Sequence, residues 1–465
     1  MSRWTRSSAS LWTFVALWLA TTAALQWSVV RFRVLILLTL TVAAAALAVT
    51  LWRGRAPELQ PMRDRVPLTV LWLGSAVILV TVPLFTYLRG GARTAAILIV
   101  CLVAAGAVAL LVGPWRDHRG LPVALALWAG AGHVALACVA IIGDRAPKID
   151  VWVMLQQSSD ALLRGENFYD VTWVGSPGVQ DLYTYLPWMT PLVAPGRWLA
   201  GDVRWTLVLW TMVLFVGLWL LARGRSGRGP LAAASVMVTL VVIPGAITQV
   251  DQAWTEPVLA ALVIAWAALV QRGRANWAIL PLALACASKQ HLALLMPLLA
   301  LWHLFGWRRV LLTGIGAAGL ISPWLVTSPA AFINDTITSL VHFHPIRFAN
   351  TWFLFFLNEF GITLPFWITG VVVLGTVAIA GYAIHRRQPP LDEMLRWLAL
   401  VLLAANLVNK QAFYNQFWLS LALVAASLVL GPASTSEHPE VTPRRDAAAE
   451  PSRTPGSRRE SSRRP

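Results

Sequence analysis

Apolar runs about as long as a bilayer is thick recur along this 465-residue chain, most of them ended by arginine, glycine or proline. A hydrocarbon core of about 30 Å needs ~20 apolar residues in a helix. Only helices and closed barrels hide their backbone polar groups from lipid, and long runs without strict alternation are helical. Five such runs come early, at residues 10–29, 34–52, 67–88, 94–113 and 121–142. Nine follow, at 205–222, 230–248, 256–271, 276–288, 291–305, 309–327, 364–384, 394–409 and 412–430. The sequence therefore predicts an all-α polytopic membrane protein with about 14 transmembrane helices, in a range of 12–14. A composition 57% hydrophobic and 12% charged excludes the series of soluble domains that the length alone would allow.

The net charge of +16 would suggest nucleic acid in a soluble chain. Here it follows topology. With the N-terminus inside, 25 of the 37 basic residues fall on the cytoplasmic side, among them Arg53, Arg55, Arg63, Arg65, Arg116, Arg119, Arg223, Arg225 and Arg228. That is the positive-inside pattern of a multi-pass plasma-membrane protein with both termini cytoplasmic, and it leaves no nucleic-acid partner to explain. The first run follows Arg3 and Arg6 but flows into a second span without a cleavage site, so it reads as an uncleaved anchor. Cys101, Cys138 and Cys286 lie inside apolar runs with no CxxC pair and read as small core residues.

Four regions result: N-terminal helices over 1–142, an external loop over 143–204, C-terminal helices over 205–431 with a second external loop at 328–363, and a polar tail over 432–465. The tail has almost nothing to bury and is predicted to be a disordered cytoplasmic segment. The stretch 186–200 is apolar, but a span there would put Arg223, Arg225 and Arg228 outside, so it reads as a helix in the outer interface.

Loops as long as the two external ones are uncommon unless they work. The first holds seven of the 21 acids: Asp144, Asp150, Asp160, Glu166, Asp170, Asp181 and Asp202. Asp160, Glu166, Asp170, Asp181 and Asp202 read as solvated loop acids. Asp150 is different. It follows the fifth span directly and opens the apolar segment 150–155, which places a carboxylate at the water–lipid boundary, as a helix N-cap, a reactive group or both.

The chain has 34 arginines but three lysines, Lys148, Lys289 and Lys410, all at external ends. Lys289 and Lys410 sit where an ammonium can reach a phosphate. Asp251, Glu256, His342, His344 and Arg347 are further polar groups at the same membrane edge. Asp251 and Glu256 are also placed to balance Lys289 or Lys410. His342 and His344, two residues apart, make a poor metal pair. No HExxH, Walker A, GxSxG or Asp-x-Asp element occurs, which argues against zinc proteolysis, P-loop nucleotide binding and metal-bound nucleotide-sugar transfer.

Outside the cytoplasm, sugar transfer needs a donor that arrives through the membrane, and a polyprenyl-phosphate sugar is one. Its phosphate leaves already charged and needs cations, whereas the acceptor hydroxyl must lose a proton to a base. One carboxylate with a few cations suffices, in contrast to the carboxylate pair of glycoside hydrolysis. Asp150 with Lys289, Lys410, His344 and Arg347 meets that requirement.

The run from Asp150 through Gly165 to Tyr169, followed by Tyr183-Thr-Tyr-Leu-Pro187, resembles the first external loop of the GT-C membrane glycosyltransferases. The branch it is most similar to is the polyprenyl-phosphate-mannose-dependent mannosyltransferases of actinobacteria. The Lys289-Gln290 hairpin resembles the family's lysine-containing turn. The resemblance implies a GT-C fold, an external active site, Asp150 as catalytic base, and a histidine of the later loop, His344, at donor phosphate or acceptor. It implies an inverting transfer, with mannose the expected sugar, from a lipid-linked donor to a glycolipid or glycan acceptor. Tyr169 and Tyr185, with Trp173, Tyr183 and Trp188, are expected as sugar-facing walls, and no metal or other cofactor is expected. The chain departs from that branch at Leu186, where a proline is frequent, and in the four spans ahead of the one that ends at Asp150. A transporter or flippase of lipid-linked sugars is the competing class; it would place its binding groups near the bilayer midplane.

Overall fold

A computed structural model describes residues 3–54, 57–177, 181–224 and 228–431. The predicted tail at 432–465 lies outside the described residues. Those residues are mostly helical, with no strand among them. Six helices are long and apolar enough to cross a membrane: Val34–Trp52, Gly90–Val112, Leu121–Gly143, Arg204–Ala222, Gly306–Thr327 and Phe366–Arg387. Arg65–Thr81, Pro230–Val241, Glu256–Gln271 and Gln290–Leu301 are apolar but shorter. The chain is a membrane-embedded, multi-pass helical protein.

Several predicted spans differ from single rods. The run 230–248 is a helix over Pro230–Val241, a turn through Pro244 and Gly245, and a second helix over Ala246–Asp251. Gly245 has φ +97°, and the ring of Tyr414 occupies the place of its missing Cβ, so the break needs glycine twice over. The runs 276–288 and 291–305 become Ile279–Cys286, a 3₁₀ turn over Gln290–Leu295 and Met296–Leu301. At 1.5 Å per residue an eight-residue helix rises only ~12 Å, so these elements are half-length.

The core is built where Arg204–Ala222 packs on Glu256–Gln271, Leu121–Gly143 on Pro230–Val241, and Leu391–Val408 on Tyr414–Ser427. Helices Gly306–Thr327 and Phe366–Arg387 are by contrast largely exposed along their length.

Connections gather at two ends of this bundle. At one end Arg65 pairs with Asp117 (3.4 Å), Arg228 donates to Leu430 O (3.0 Å), Arg387 donates to Leu51 O (3.1 Å) and Trp302 donates to Pro389 O (2.8 Å). At the other, Gln26 donates to Val82 O (2.8 Å), Asn350 to Arg31 O (2.7 Å) and Gln290 to Thr184 O (3.1 Å). The arginine-rich connections share the first end. Both long loops share the second.

The first long loop is a packed layer. Helix Asp150–Leu163 lies on helix Met189–Ala200, clamped by a two-bond Arg197–Asp160 pair (2.8 Å each). The helix expected within 186–200 is therefore present. The second loop folds into short turns over Pro329–His342 and helix Trp352–Phe360, with a small core of Ala349, Phe353 and Leu354 against Phe32 and Phe413.

Candidate functional site

Asp150 is the first residue of its helix, and Ile149 is the cap. The expected N-cap role is thus displaced by one residue: Asp150 Oδ1 accepts from the next amide, Val151 N (2.9 Å). The side chain is partly exposed and makes no ion pair among the described residues. Burial raises its pKa above the ordinary aspartate value, opposed by hydrogen bonds from the Val151 amide and its own. A desolvated carboxylate with no cation to stabilise its charge holds a proton more tightly and is a stronger base.

The Lys289 hairpin docks beside the first loop. Leu186 N donates to Ser288 O (3.2 Å) and Trp188 N to Ala287 O (3.1 Å). Lys289 is buried, ion-paired to Glu256 and 3.4 Å from Thr255 Oγ1, with its ammonium 5.1 Å from the centre of the Tyr185 ring. Asn415 from the last helix donates to the same Glu256 oxygen (3.0 Å), while Glu256 Oε2 is buried with no partner. The balance expected between Glu256 and Lys289 is present. Lys289 is accordingly a neutralised cation in this arrangement.

Tyr185 sits over this pair. Its phenol is pushed well above its ordinary value, first by burial and then by the charges of Glu256 and Asp150. Tyr169 is placed differently from the expected sugar-facing wall: it is buried in a cluster with Phe168, Tyr183 and Phe332, and its hydroxyl donates to Tyr185 O (2.9 Å). It supports Tyr185 from behind. Trp173 and Tyr183 are buried in the same cluster, and Trp188 donates to Leu320 O (2.8 Å).

No hydrogen bond or ion pair joins His344, Arg347 or Lys410 to Asp150 among the described residues. His344 is exposed and stacks on Phe343 (4.4 Å between centroids), and Arg347 is exposed with only its carbonyl engaged, by Asn358 (2.9 Å). Lys410 donates to Val341 O (3.0 Å), which joins the last connection to the second loop. None of these three cations has an acidic partner among the described residues.

Three acids read as solvated are ion-paired, Glu166 with exposed Arg164 (2.6 Å) and the other two more deeply. Asp202 holds fully buried Arg204 through both oxygens and also accepts from Trp152 Nε1 (3.2 Å); Asp160 holds Arg197. Sequence order hides the first pair, since i, i+2 neighbours do not face each other on a helix. Asp202 lies just ahead of the helix that Arg204 begins. Asp251 is not paired to a lysine. It holds the connection ahead of Gly90–Val112 through Thr86 Oγ1 (2.7 Å) and Tyr87 N (2.6 Å). Nothing in the sequence pointed to Tyr87, because only these long-range bonds place it.

The turn joining Asp251 to Glu256 carries Ala253 at φ +54°, in the left-handed region, and buried. A non-glycine residue held there indicates that the surroundings over-determine the turn. Among the described residues no cluster of three metal-ligating side chains occurs. No protein-family model, no curated protein and no solved structure matches the chain.

Proposed function

We propose that the protein is a GT-C-type glycosyltransferase that moves a sugar, mannose in the first instance, from a polyprenyl-phosphate donor to a glycolipid or glycan acceptor. Asp150 is its general base. The observation that carries this reading is a partly exposed carboxylate, raised in pKa by burial, with no neutralising cation, at the membrane edge of the longest loop. Asp150 takes the proton of an acceptor hydroxyl, the oxygen attacks the anomeric carbon from the opposite face, and the carbon–oxygen bond to phosphate breaks with its electron pair leaving on phosphate. The product is inverted, and the lipid phosphate departs without needing an acid.

Phosphate needs cations that are not already neutralised. Lys410, Arg347 and His344 fit, and the Lys410–Val341 bond ties the lysine to the loop that carries the other two. Lys289, paired to Glu256, is assigned to holding the wall formed by Tyr185. The two-ended sorting of connections supports fourteen passes, counting the half-length elements around Lys289 as a returning pair. The arginine-rich end is taken as cytoplasmic and the Asp150 end as extracytoplasmic.

The test is transfer from a polyprenyl-phosphate sugar by purified Asp150→Asn protein. Loss of turnover with an unchanged melting profile is expected; undiminished turnover in a folded sample removes the mechanism.

A further inference from the structure

The connection 82–89 belongs to helices that precede Asp150's span, in the part of the chain that distinguishes it from the family it resembles. It is tied into the site nonetheless. Asp251, fully buried, receives Thr86 Oγ1 and Tyr87 N on one oxygen, Oδ2, and Thr248 Oγ1 donates to Phe85 O (2.9 Å). Arg204 then donates to the carbonyls of both Asp251 (3.4 Å) and Asp144 (2.6 Å). Residues 85–87, 144 and 251 thereby form one hydrogen-bonded knot, and the short segment leaving Asp144 ends at Asp150.

Of the six tyrosines, Tyr169, Tyr183, Tyr185 and Tyr414 are buried, and Tyr382 is exposed on helix Phe366–Arg387. Tyr87 is half-buried; its ring packs edge-on to Phe85 (5.4 Å), and its hydroxyl has no hydrogen bond among the described residues. A ring held by its own backbone, with the phenol left unengaged, is the form of a contact kept for something else.

We infer that Tyr87 is a substrate-contacting residue, its phenol and ring face forming the wall of the sugar site on the Asp150 side, and that Asp251 is the residue that positions it. This rests on the reading of Asp150 as the base. A half-buried phenol offers a hydroxylated ligand both an apolar face and a hydrogen-bond donor. The phenol's pKa is raised by burial, and next by the negative charges of Asp150, Asp251 and Asp144, in agreement with the placement. The role of the N-terminal helices follows. They bring one side chain to the reacting end as well as packing on the bundle.

The test begins without substrate. In full-length Tyr382→Phe protein, tetranitromethane modifies Tyr87 as the accessible tyrosine, with peptide mapping to verify the position, and the nitrophenol is titrated by its absorbance. Replacing Asp150 by Asn is expected to lower that titration by about 0.4 unit, the effect of one charge through ~8 Å of water-like medium. An unmoved titration overturns the placement. In an Asp251→Ala background the Asp150-dependent difference should shrink, and Asp251→Asn should restore it; an unchanged difference overturns the positioning role. Where Asp251→Ala fails to fold, Thr86→Val removes one of the two anchoring bonds and replaces it in the test. Transfer from polyprenyl-phosphate mannose to acceptors in membranes should then fall about tenfold or more in kcat/KM for Tyr87→Ala, with Tyr87→Phe between. Wild-type transfer by Tyr87→Ala overturns the contact role. The two readings fail separately: a shifted nitrophenol with active Asp150→Asn sinks the base, and an unshifted one with inactive Asp150→Asn sinks only the Tyr87 wall.

Discussion

Replacing Glu256 by Gln tests whether Lys289 is a phosphate cation or half of a structural pair. The carboxylate is 0% exposed and the lysine side chain 8%, so both charges have left water. Without Glu256 the ammonium keeps only Thr255 Oγ1 at 3.4 Å and the Tyr185 ring at 5.1 Å, and no counter-charge. Removing one partner of a buried pair costs ~3–5 kcal/mol, whereas replacing both by neutral residues of similar volume is often neutral or stabilising. Glu256 Oε2 is already unpartnered, which lowers the value of the intact pair and places Glu256→Gln near ~3 kcal/mol. Lys289→Met falls in the same range, and the double variant Glu256→Gln/Lys289→Met should return to within ~1 kcal/mol of the starting protein. The measurement is a double-mutant cycle by denaturant unfolding of the full chain in one detergent, alongside donor binding with polyprenyl-phosphate mannose. Strong coupling with retained phosphate affinity in the double variant is the expected result. Two losses that simply add, with phosphate affinity falling in every variant lacking Lys289, would refute the pairing and return Lys289 to the donor.

Three further outcomes are expected. Because burial raises the Asp150 pKa, the base form is lost as pH falls through a value above the ordinary aspartate range, so the acid limb of the pH–kcat/KM profile lies above pH 3.8; a limb at or below that value contradicts the assignment. Asp335, buried and accepting from Tyr183 N (2.7 Å), has its pKa raised to about 6 from 3.8, first by burial. The folded form binds that proton more tightly than the unfolded one, so its contribution is fullest below about pH 4 and declines as pH rises towards 6; hydrogen exchange of residues 329–342 should quicken over that window, and Asp335→Asn should flatten it. Arg204→Leu leaves Asp202 buried without its forked partner and should destabilise the chain by ~3–5 kcal/mol in unfolding, with Arg204→Lys recovering only part because an ammonium cannot repeat the two-pronged bond to carboxylate and carbonyl.

Hydropathy reads length and polarity, and where those decide, the sequence reading and the structure agree: the span expected at 34–52 is helix Val34–Trp52, and that expected at 205–222 is Arg204–Ala222. Continuity is a different quantity. The run 230–248 is as apolar as its neighbours, yet it is broken at Pro244-Gly245, where Tyr414 takes up the space, and the runs 276–288 and 291–305 form shorter helices than expected on either side of Ser288-Lys289, whose freed backbone groups the first loop takes up. A break becomes favourable only when such a partner exists, and the partner lies far away in sequence. The same reasoning explains the site. Asp150 and the Lys289 hairpin were legible because each sits at the end of an apolar run with an unusual residue type. Glu256 and Lys289, 33 positions apart, were legible as charges needing balance but not as a closed pair. Asp251 was legible as a charge at the membrane edge, but its bond to Tyr87, 164 positions away, carried no local signal, since it begins at a main-chain amide that every residue except proline possesses. A sequence can therefore name an unusual charged residue at the end of an apolar run more readily than the backbone contacts that hold its surroundings.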